Sequence, residues 1–415
     1  MKADQLLEEA LQLKETIISN RRYLHSHPET GFDLNETKAY VKQELIDMGY
    51  EPVECGRAGL VALAGGKKEG PVFMIRADMD ALPVKEEADV DFASTNGRMH
   101  ACGHDMHASM LLGAARLLKQ HEDEIQGTIK LMFQPAEEIF EGSHDMIENG
   151  LLKNPDVDAA LMIHVMAGMP FPAGTVIVSS PGVSAPAADI FRIQVKGKGC
   201  HGSMPNTGID PLNAAAHILI ALQEIHTREL SVVDQAVLTI GSMNAGTAPN
   251  VIPDVVTMGG SLRTYDGEVR DYIKKRLVEI AEGVAKTFRA EAEVTFTSGC
   301  PTLNNDKEVS LSCEKYVKEL LGPGKAFSVA ELNAMGGGGS SSKSAGSEDF
   351  AYVSQEVPSV MLALAAGQPD KGYCYPQHHP MVKFDEEALA GGSAVYAYTA
   401  MRWLEEHGGC QNAGN

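Results

Sequence analysis

Three short apolar runs constrain the fold of this chain most strongly. They lie at Val72 to Ile75, Ile129 to Phe133 and Ala159 to Ile163, and each is four or five residues long. Runs of this length are typical of buried strands, and a helical stretch such as Ala108 to Lys119 separates the first two. We therefore expect an α/β domain in which a mainly parallel sheet carries helices on both faces.

The residues after each run are of types that bind metal ions or move protons. Asp78 and Asp80 follow the first run, Glu137 and Glu138 follow the second, and His164 follows the third. Ligands bind at the carboxyl ends of strands in an open α/β sheet. The sequence therefore predicts that three separate segments deliver these side chains to one edge of the sheet.

A different pattern follows, with the element order βαββαβ. This order predicts a ferredoxin-like α+β domain at residues 187–299. Since α/β segments lie on both sides of it, we expect an insertion into a catalytic domain formed by residues 1–186 and 300–415. The Gly/Ser-rich stretch from Gly336 to Ser344 predicts a loop. The elements that define the βαββαβ order are Phe191 to Val195, Leu212 to Ile225, Ala236 to Ile240, Val255 to Leu262, Val269 to Phe288 and Ala292 to Phe296.

The charge of the chain excludes several classes of partner. Its 35 Lys and Arg residues against 56 Asp and Glu residues give a formal net charge of -21, which disfavours nucleic acid and anionic membrane surfaces. No apolar run approaches the ~20 residues of a membrane span. We predict a cytoplasmic protein, in which an anionic substrate would need a local basic group.

The densest chemical cluster lies between Met99 and His107. It contains one thiol, three imidazoles and a carboxylate within nine positions. Thiolate and imidazole are ligands of zinc and similar ions, and Cys102 and His104, separated by one glycine, can face one ion from a turn. For His100 alone a surface or helix-capping role is favoured, whereas the whole cluster favours a metal site.

Glu137 and Glu138 suit a division of labour in which one carboxylate binds metal and the other takes a proton from water. The alternative is a solvated acidic helix start, because carboxylates favour first turns. A lone His164 on an apolar run would more often be a core residue, but its position beside the other two strand ends favours a ligand. His378 and His379 form a pair that is weak evidence by itself.

Three residues of the inserted domain are also candidates. His201 lies in a Gly-rich turn, while Asn250 and Arg263 are polar groups beside apolar strands. The alternative roles are a tight turn for His201, a turn former for Asn250 and a solvated edge charge for Arg263. The sequence alone favours these alternatives for Asn250 and Arg263.

Together these motifs resemble the aminoacylase/carboxypeptidase family of two-metal peptidases, peptidase family M20. The chain is most similar to the amidohydrolase branch, which includes hippurate hydrolases, N-acyl-amino-acid amidohydrolases and indole-acetyl-amino-acid hydrolases. The motifs span nearly the whole chain in the expected order. They are Arg21 to Glu29, Ile75 to Pro83, His100 to Asp105, Phe133 to Glu138, Gly199 to Ser203, Gly346 to Phe350 and His378 to Pro380.

The resemblance implies a two-metal catalytic domain and a ferredoxin-like lid that often dimerises, so we expect a homodimer through the lid. It implies two divalent ions, zinc or manganese, with cobalt or nickel as further options. Glu137 would be the general base. The ligands implied are Cys102, His104, Glu138, His164 and His378, the last selected by alignment on Pro380, with His379 as its rival.

The resemblance also implies supporting roles. Asp78 and Asp80 would orient other groups, because Asp78-Met79-Asp80 replaces the His-x-Asp ligand pair of the peptidase branches. His201 would stabilise the oxyanion, either within one chain or across a dimer interface. Asn250 and Arg263 would hold the substrate carboxylate, with Arg263 as the local positive charge.

The leading functional hypothesis is a metal-dependent amidohydrolase that cleaves small N-acyl or N-aroyl amino acids into a carboxylate and a free amino acid. The alternative within enzymes is a dipeptidase or carboxypeptidase of the same family. An inactive metal-dependent binding protein is disfavoured, because Glu137 and all the expected ligand positions are present.

Overall fold

The computed structural model describes residues 1–335 and 343–408. Of the predicted Gly/Ser-rich loop, residues 336–342 lie outside the described residues. The chain divides into two compact units. The first unit comprises Met1–Ser184, Asn304–Ser342 and Asp349–Asn415, and the second comprises Ala185–Leu303 and Lys343–Glu348. Across the described residues, no helix combines the length and apolarity needed to cross a membrane.

The elements are numbered in chain order. The helices are α1 (Ala3–Gln12), α2 (Lys14–Ser26), α3 (Asn35–Asp47), α4 (His104–Gln120), α5 (Gly142–Glu148), α6 (Pro211–Ala221), α7 (Gly267–Thr287), α8 (Lys307–Leu321), α9 (Val329–Ala334), α10 (Ala351–Glu356) and α11 (Ala388–Gly408). The strands are β1 (Val53–Cys55), β2 (Gly59–Gly65), β3 (Val72–Asp78), β4 (Thr128–Gln134), β5 (Ala159–Met166), β6 (Val176–Val178), β7 (Gly182–Ala185), β8 (Ala187–Lys196), β9 (Cys200–His201), β10 (Ala236–Ala245), β11 (Val251–Ile252), β12 (Val255–Thr264), β13 (Glu291–Cys300), β14 (Leu303–Asn305), β15 (Ala326–Ser328) and β16 (Ser359–Ala365).

The first unit contains an eight-stranded sheet in the order β1-β2-β4-β3-β5-β16-β6-β15. The central strands β4, β3, β5 and β16 are parallel, while β2 and β6 join them in the antiparallel direction. Every residue of β3 is buried, which requires cover on both faces of the sheet. The predicted α/β fold class with a mainly parallel central sheet is therefore confirmed.

Helix α4 begins directly after a turn that only glycine tolerates easily. Gly103 has φ +93°, and a Cβ there would lie 2.5 Å from Cγ2 of Val165. This turn separates Cys102 from His104, the first residue of α4. The helix itself is almost wholly buried and packs against β3 and α11. This packing fixes the position of its first turn relative to the sheet.

The second unit contains a four-stranded antiparallel sheet in the order β10-β12-β8-β13. Helices α6 and α7 pack on it, and the order βαββαβ agrees with the ferredoxin-like pattern expected from the sequence. Asp210 and Asp266 cap the two helices by accepting backbone N–H groups of their first turns. Asp210 is followed by Pro211, a favourable first helical residue.

Two adjacent glycines in α11 offer a matched test of the packing against α4. A Cβ on Gly392 would lie 2.0 Å from Sδ of Met110, whereas one on Gly391 would meet nothing within 4 Å. We expect Gly392→Ala to lower the free energy of unfolding by about 1–3 kcal/mol through overpacking. Gly391→Ala should raise it by up to about 1 kcal/mol through helix propensity. Urea denaturation measures both, and equal effects would contradict this packing.

Candidate metal centre

The predicted strand-end residues meet at one edge of the sheet in the first unit. Asp78 is the last residue of β3, and a short 3₁₀ turn that starts at Glu137 follows β4. His164 lies within β5 rather than after it, because the strand continues to pair with β16 as far as Met166. The expectation that His164 closes the strand was therefore wrong by two residues, while its side chain still joins the cluster.

The five predicted metal ligands form two groups that share Cys102. Cys102 lies with His104 and His164 in one group and with Glu138 and His378 in the other. Within each group the candidate ligand atoms are all within 4.8 Å of one another. Two adjoining groups of three with a common thiol offer the residue types that bind divalent cations.

Hydrogen bonds to backbone carbonyls fix the ring orientation of two candidate histidines. Nδ1 of His104 donates to the backbone carbonyl of Asp80 at 2.8 Å, and Nδ1 of His164 donates to the carbonyl of Val165 at 2.7 Å. Among the described residues, the buried Nε2 of His104 and the buried Oε1 of Glu138 have no hydrogen-bond partner. Metal-ligating histidines use this arrangement, in which the second ring N–H is fixed by an acceptor.

The structure distinguishes between the two adjacent histidines near the C-terminus. The His378 backbone N–H donates to the carbonyl of Ala101 at 2.9 Å, and its Nε2 lies 3.7 Å from Oε2 of Glu138. The His379 Nδ1 instead accepts the backbone N–H of Met381 at 3.0 Å. The geometry therefore favours His378 as the ligand-type residue of the pair.

Asp80 orients the two adjacent glutamates. Its carboxylate accepts the backbone N–H of Glu137 at 3.0 Å and that of Glu138 at 3.2 Å. Both glutamates follow Ala136, which has φ +54°, so the chain turns sharply at the end of β4. One buried carboxylate thus fixes the turn that presents two others.

Asp78 fixes a histidine that sequence reasoning named only as part of a cluster. The Nδ1 of His107 donates to Oδ1 of Asp78 at 2.6 Å, and its Nε2 accepts the backbone N–H of Val165 at 2.8 Å. Both ring nitrogens are therefore occupied, and His107 supports the strand ends rather than offering a ligand. Arg76 holds the other oxygen of Asp78 at 2.7 Å.

The electrostatics of the cluster favour a bound cation. Burial raises the pKa of the Cys102 thiol, and the Glu138 carboxylate adds to this effect. Burial also raises the pKa of Glu138 to about 7, with Asp80 and Asp78 adding to the shift and His104 opposing it. A cation among these groups would stabilise the thiolate and carboxylate forms, since coordination deprotonates a thiol outright. The residues present therefore fit divalent metal ions.

The candidate residues of the second unit lie at two ends of its sheet. His201 pairs with Val251 in the β9–β11 ribbon, and the Gly202 N–H donates to the carbonyl of Asn250 at 2.8 Å. This ribbon follows the end of the sheet where Lys196 pairs with Val255. His201 and Asn250 are therefore neighbours, although the sequence separates them widely.

Arg263 lies at the opposite end of the same sheet, where it pairs with Ala188 on β8 and hydrogen-bonds Oγ of Ser347. Arg263 lies eight positions after Val255 on β12, and this corresponds to roughly 25 Å at the usual rise of a strand. Arg263 therefore lies roughly 25 Å along β12 from the end of the sheet that the His201 ribbon follows.

Comparisons with known proteins agree with this fold and cluster. The family described as peptidase family M20/M25/M40 matches residues 74–402. The chain belongs to this family. It is 35% identical to N-acetyl-L-cysteine deacetylase of Bacillus subtilis, covering 95% of this chain and 90% of that protein. It is 36% identical to IAA-amino acid hydrolase ILR1-like 2 of Arabidopsis thaliana, covering 94% and 85%.

A solved structure supports the same assignment. The chain is similar to a Bacillus subtilis protein described as a dinuclear metal binding peptidase of the M20 family, with a TM-score of 0.75 and 33% identity. The similarity covers 95% of this chain and 99% of that one. The family predicted from the motifs is therefore confirmed.

In this M20 family member, the N-terminal motif anchors the first turn of α4. Nε of Arg21 donates to Oδ2 of Asp105 at 2.7 Å, and Nδ1 of His25 contacts the same oxygen at 2.8 Å. Nε2 of His25 lies 2.9 Å from Oε1 of Glu86. Asp105 follows His104 directly, so this buried network holds the candidate ligand in place. Sequence reasoning found the motif but assigned it no role.

The His25 network predicts a pH-dependent contribution to stability. Burial and Arg21 act to lower the pKa of His25, but Asp105 and Glu86 outweigh them and raise it. A raised folded-state pKa stabilises the protein below the unfolded value of about 6.5, and this contribution is lost as pH rises through the folded pKa.

We therefore expect His25→Gln to lower the free energy of unfolding. The decrease should be largest near pH 6 and should decline towards pH 9. Urea denaturation at a series of pH values measures this difference. His144→Gln, at a half-exposed surface position, serves as the control and should show no such trend. A His25→Gln difference that grows with pH would contradict the network.

Proposed function

We propose that this chain hydrolyses the amide bond of N-acyl or N-aroyl amino acids, releasing a carboxylate and a free amino acid. The observation that carries the proposal is the pair of ligand groups around Cys102, with the buried carboxylate of Glu137 close by, its Oε2 3.9 Å from Nε2 of His104. The names of the two similar proteins, an N-acetyl-L-cysteine deacetylase and an IAA-amino acid hydrolase, support the choice of substrate class.

Cys102, His104, Glu138, His164 and His378 would hold two divalent cations. When bound, such ions polarise the scissile carbonyl and lower the pKa of a water molecule. Thiolate and imidazole favour zinc, with manganese, cobalt or nickel as further options, since affinity order alone does not decide the ion. The cytoplasmic location stays a prediction from the sequence.

Glu137 would act as the general base. It is buried, and its Oε2 lies 3.9 Å from Nε2 of His104, so one carboxylate oxygen faces the ligand cluster. Glu137 takes a proton from the attacking water as the oxygen bonds to the carbonyl carbon. It then passes this proton to the nitrogen as the C–N bond breaks. Asp80, which accepts the Glu137 N–H, keeps the base in place for both transfers.

His201 would stabilise the oxyanion. The backbone N–H of Ser203 donates to Nδ1 of His201 at 3.1 Å. The neutral imidazole therefore carries its hydrogen on Nε2, where it can donate to a developing negative charge. Asn250 and Arg263 would bind the substrate carboxylate, and Arg263 would supply the positive charge that an acidic protein needs for an anionic substrate.

These roles fit best if two copies of the chain complete each site. Arg263 lies roughly 25 Å along β12 from the end of the sheet that the His201 ribbon follows. A substrate bound to Arg263 of one copy would then meet His201 of its partner. We therefore propose a homodimer through the second unit.

The surface of the second unit supports this proposal. Within the described residues β10 pairs only with β12, so a ten-residue edge is open to another strand. Val237 on β10 is 59% exposed, and Ile220 on α6 of the same unit is 68% exposed. Open edges and exposed apolar side chains of this kind are typical of association surfaces.

A peptidase is the second candidate, because a structurally similar family member is described as a peptidase. The discriminating property is the acyl group. An amidohydrolase prefers a blocked acyl group without an amine, whereas a dipeptidase or carboxypeptidase prefers a peptide with a free N-terminus.

Hydrolysis assays on chelated protein, before and after addition of zinc or manganese, test the proposed activity. We expect metal-restored cleavage of hippurate, N-acetyl-methionine or indole-acetyl-alanine in preference to a free dipeptide. Glu137→Gln should lower kcat by about 10²–10⁴-fold, because proton transfer is lost. Glu141→Gln, an exposed residue of the same segment, is the matched control and should retain activity. Cleavage of the dipeptide alone would favour the peptidase.

A subunit-mixing experiment tests the shared site. His201→Ala and Arg263→Ala should each be nearly inactive alone. If each site combines both residues from two copies, an equilibrated 1:1 mixture should recover about a quarter of wild-type activity, since half the dimers are mixed and each has one intact site. Activity assays and sedimentation of the mixture measure this. No recovery from a mixture that exchanges subunits would contradict the shared site.

A further inference from the structure

Asp349 is a buried residue without a role in the mechanism described above. It precedes α10 and is fully buried in the first unit. Its Oδ1 accepts Nε2 of Gln134 at 2.5 Å and Nη2 of Arg76 at 3.2 Å, while its Oδ2 accepts the backbone N–H of Ser143 at 3.0 Å. Donors from β4, β3 and α5 therefore clamp this carboxylate from different directions.

The backbone of Asp349 points at the proposed base. Its N–H donates to Oε1 of Glu137 at 3.4 Å. The other oxygen of Glu137 lies 3.9 Å from Nε2 of His104. The two oxygens of this carboxylate thus have different surroundings, with a backbone donor at one and the ligand cluster at the other. The Asp349 N–H is therefore one of the contacts that orient this carboxylate.

The clamp also connects the base to the strand end that holds His107. Arg76 is completely buried and donates to both Asp78 and Asp349. An uncompensated buried guanidinium is costly, so Arg76 needs both carboxylates close by. The end of β3 and the segment of Asp349 are therefore fixed relative to one another.

We propose that Asp349 is a positioning residue for Glu137: its clamped carboxylate holds its own backbone N–H against Oε1 and so aims Oε2 at the attacking water. The inference rests on the proposed function, because it assigns Glu137 the part of general base. It adds a residue that acts through the base without touching substrate or metal.

Misplacing the base should affect the chemical step more than binding. A displacement of about 1 Å in a catalytic group can reduce the rate on the order of 10²-fold. Glu137 moves its proton in the transition state, so substrate binding should change little when it is misaligned. The expected signature is a lower kcat with a nearly constant KM.

Asp349→Asn tests the proposal. The variant keeps the shape of the side chain, but its amide nitrogen must face one of the donors that now clamp Oδ1 or Oδ2. We expect kcat to fall by about 10–100-fold and KM to change by less than about 2-fold. Elemental analysis should find the same metal content as in the wild type, which separates misalignment of the base from loss of the ions.

Asp189→Asn is the matched control. Asp189 is also a buried carboxylate bonded to an arginine, Arg270, at 2.6 and 2.8 Å, but it lies in the second unit. This variant should lower thermal stability and leave kcat unchanged. If Asp349→Asn does not fold, Gln134→Met, which removes one donor from the clamp, takes its place and should show the same split between kcat and KM.

The outcomes separate the two proposals. A folded Asp349→Asn or Gln134→Met with wild-type kcat would overturn the positioning role while leaving the proposed function intact. Loss of kcat together with loss of bound metal would also overturn it, because the residue would then support the ligands. A metal-loaded wild type that cleaves none of the substrates would overturn the proposed function and this inference with it.

Discussion

Burial of several carboxylates at one edge of the sheet is the constraint on which the first unit depends. Asp78, Asp80 and Asp349 are fully buried, and Glu137 is nearly so. Buried charges are tolerated only when they are paired or hydrogen-bonded. Here, Arg76 serves Asp78 and Asp349, while backbone N–H groups serve Asp80. The buried Nε2 of His104 and Oε1 of Glu138 have no hydrogen-bond partner among the described residues. His104 belongs to one of the two ligand groups around Cys102 and Glu138 to the other.

This arrangement explains why the supporting residues and the candidate ligands alternate along the chain. Asp80 holds the turn that carries Glu138, and its backbone carbonyl fixes the ring of His104. Asp105, held by Arg21 and His25, anchors the helix that begins with His104. The positions of His104 and Glu138 are thus fixed by buried neighbours. Fixed placement of ligand-type and proton-transferring side chains is the usual condition for efficient catalysis.

Much of the fold was predictable because strand length and apolar content are local properties. The runs that became β3, β4 and β5 were recognisable, and polar residues at their ends pointed to one edge of the sheet. The supporting contacts were not predictable, because they join residues far apart in the chain. The Asp349 backbone reaches Glu137 across 212 positions, and His107 reaches Asp78 across 29. Spacing also could not reveal that Arg263 lies at one end of the four-stranded sheet while His201 lies in a ribbon that follows the other end, since this depends on strand register.

The central claim is that the residues around Cys102 bind two divalent ions in one chain. Anomalous diffraction from crystals of zinc-loaded protein, recorded at the zinc absorption edge, tests it most directly. We expect two peaks per chain, with ligand atoms of Cys102, His104, Glu138, His164 and His378 at about 2.0–2.3 Å from them. A single peak, or peaks that leave Cys102 and Glu138 without a bound ion, would contradict the claim.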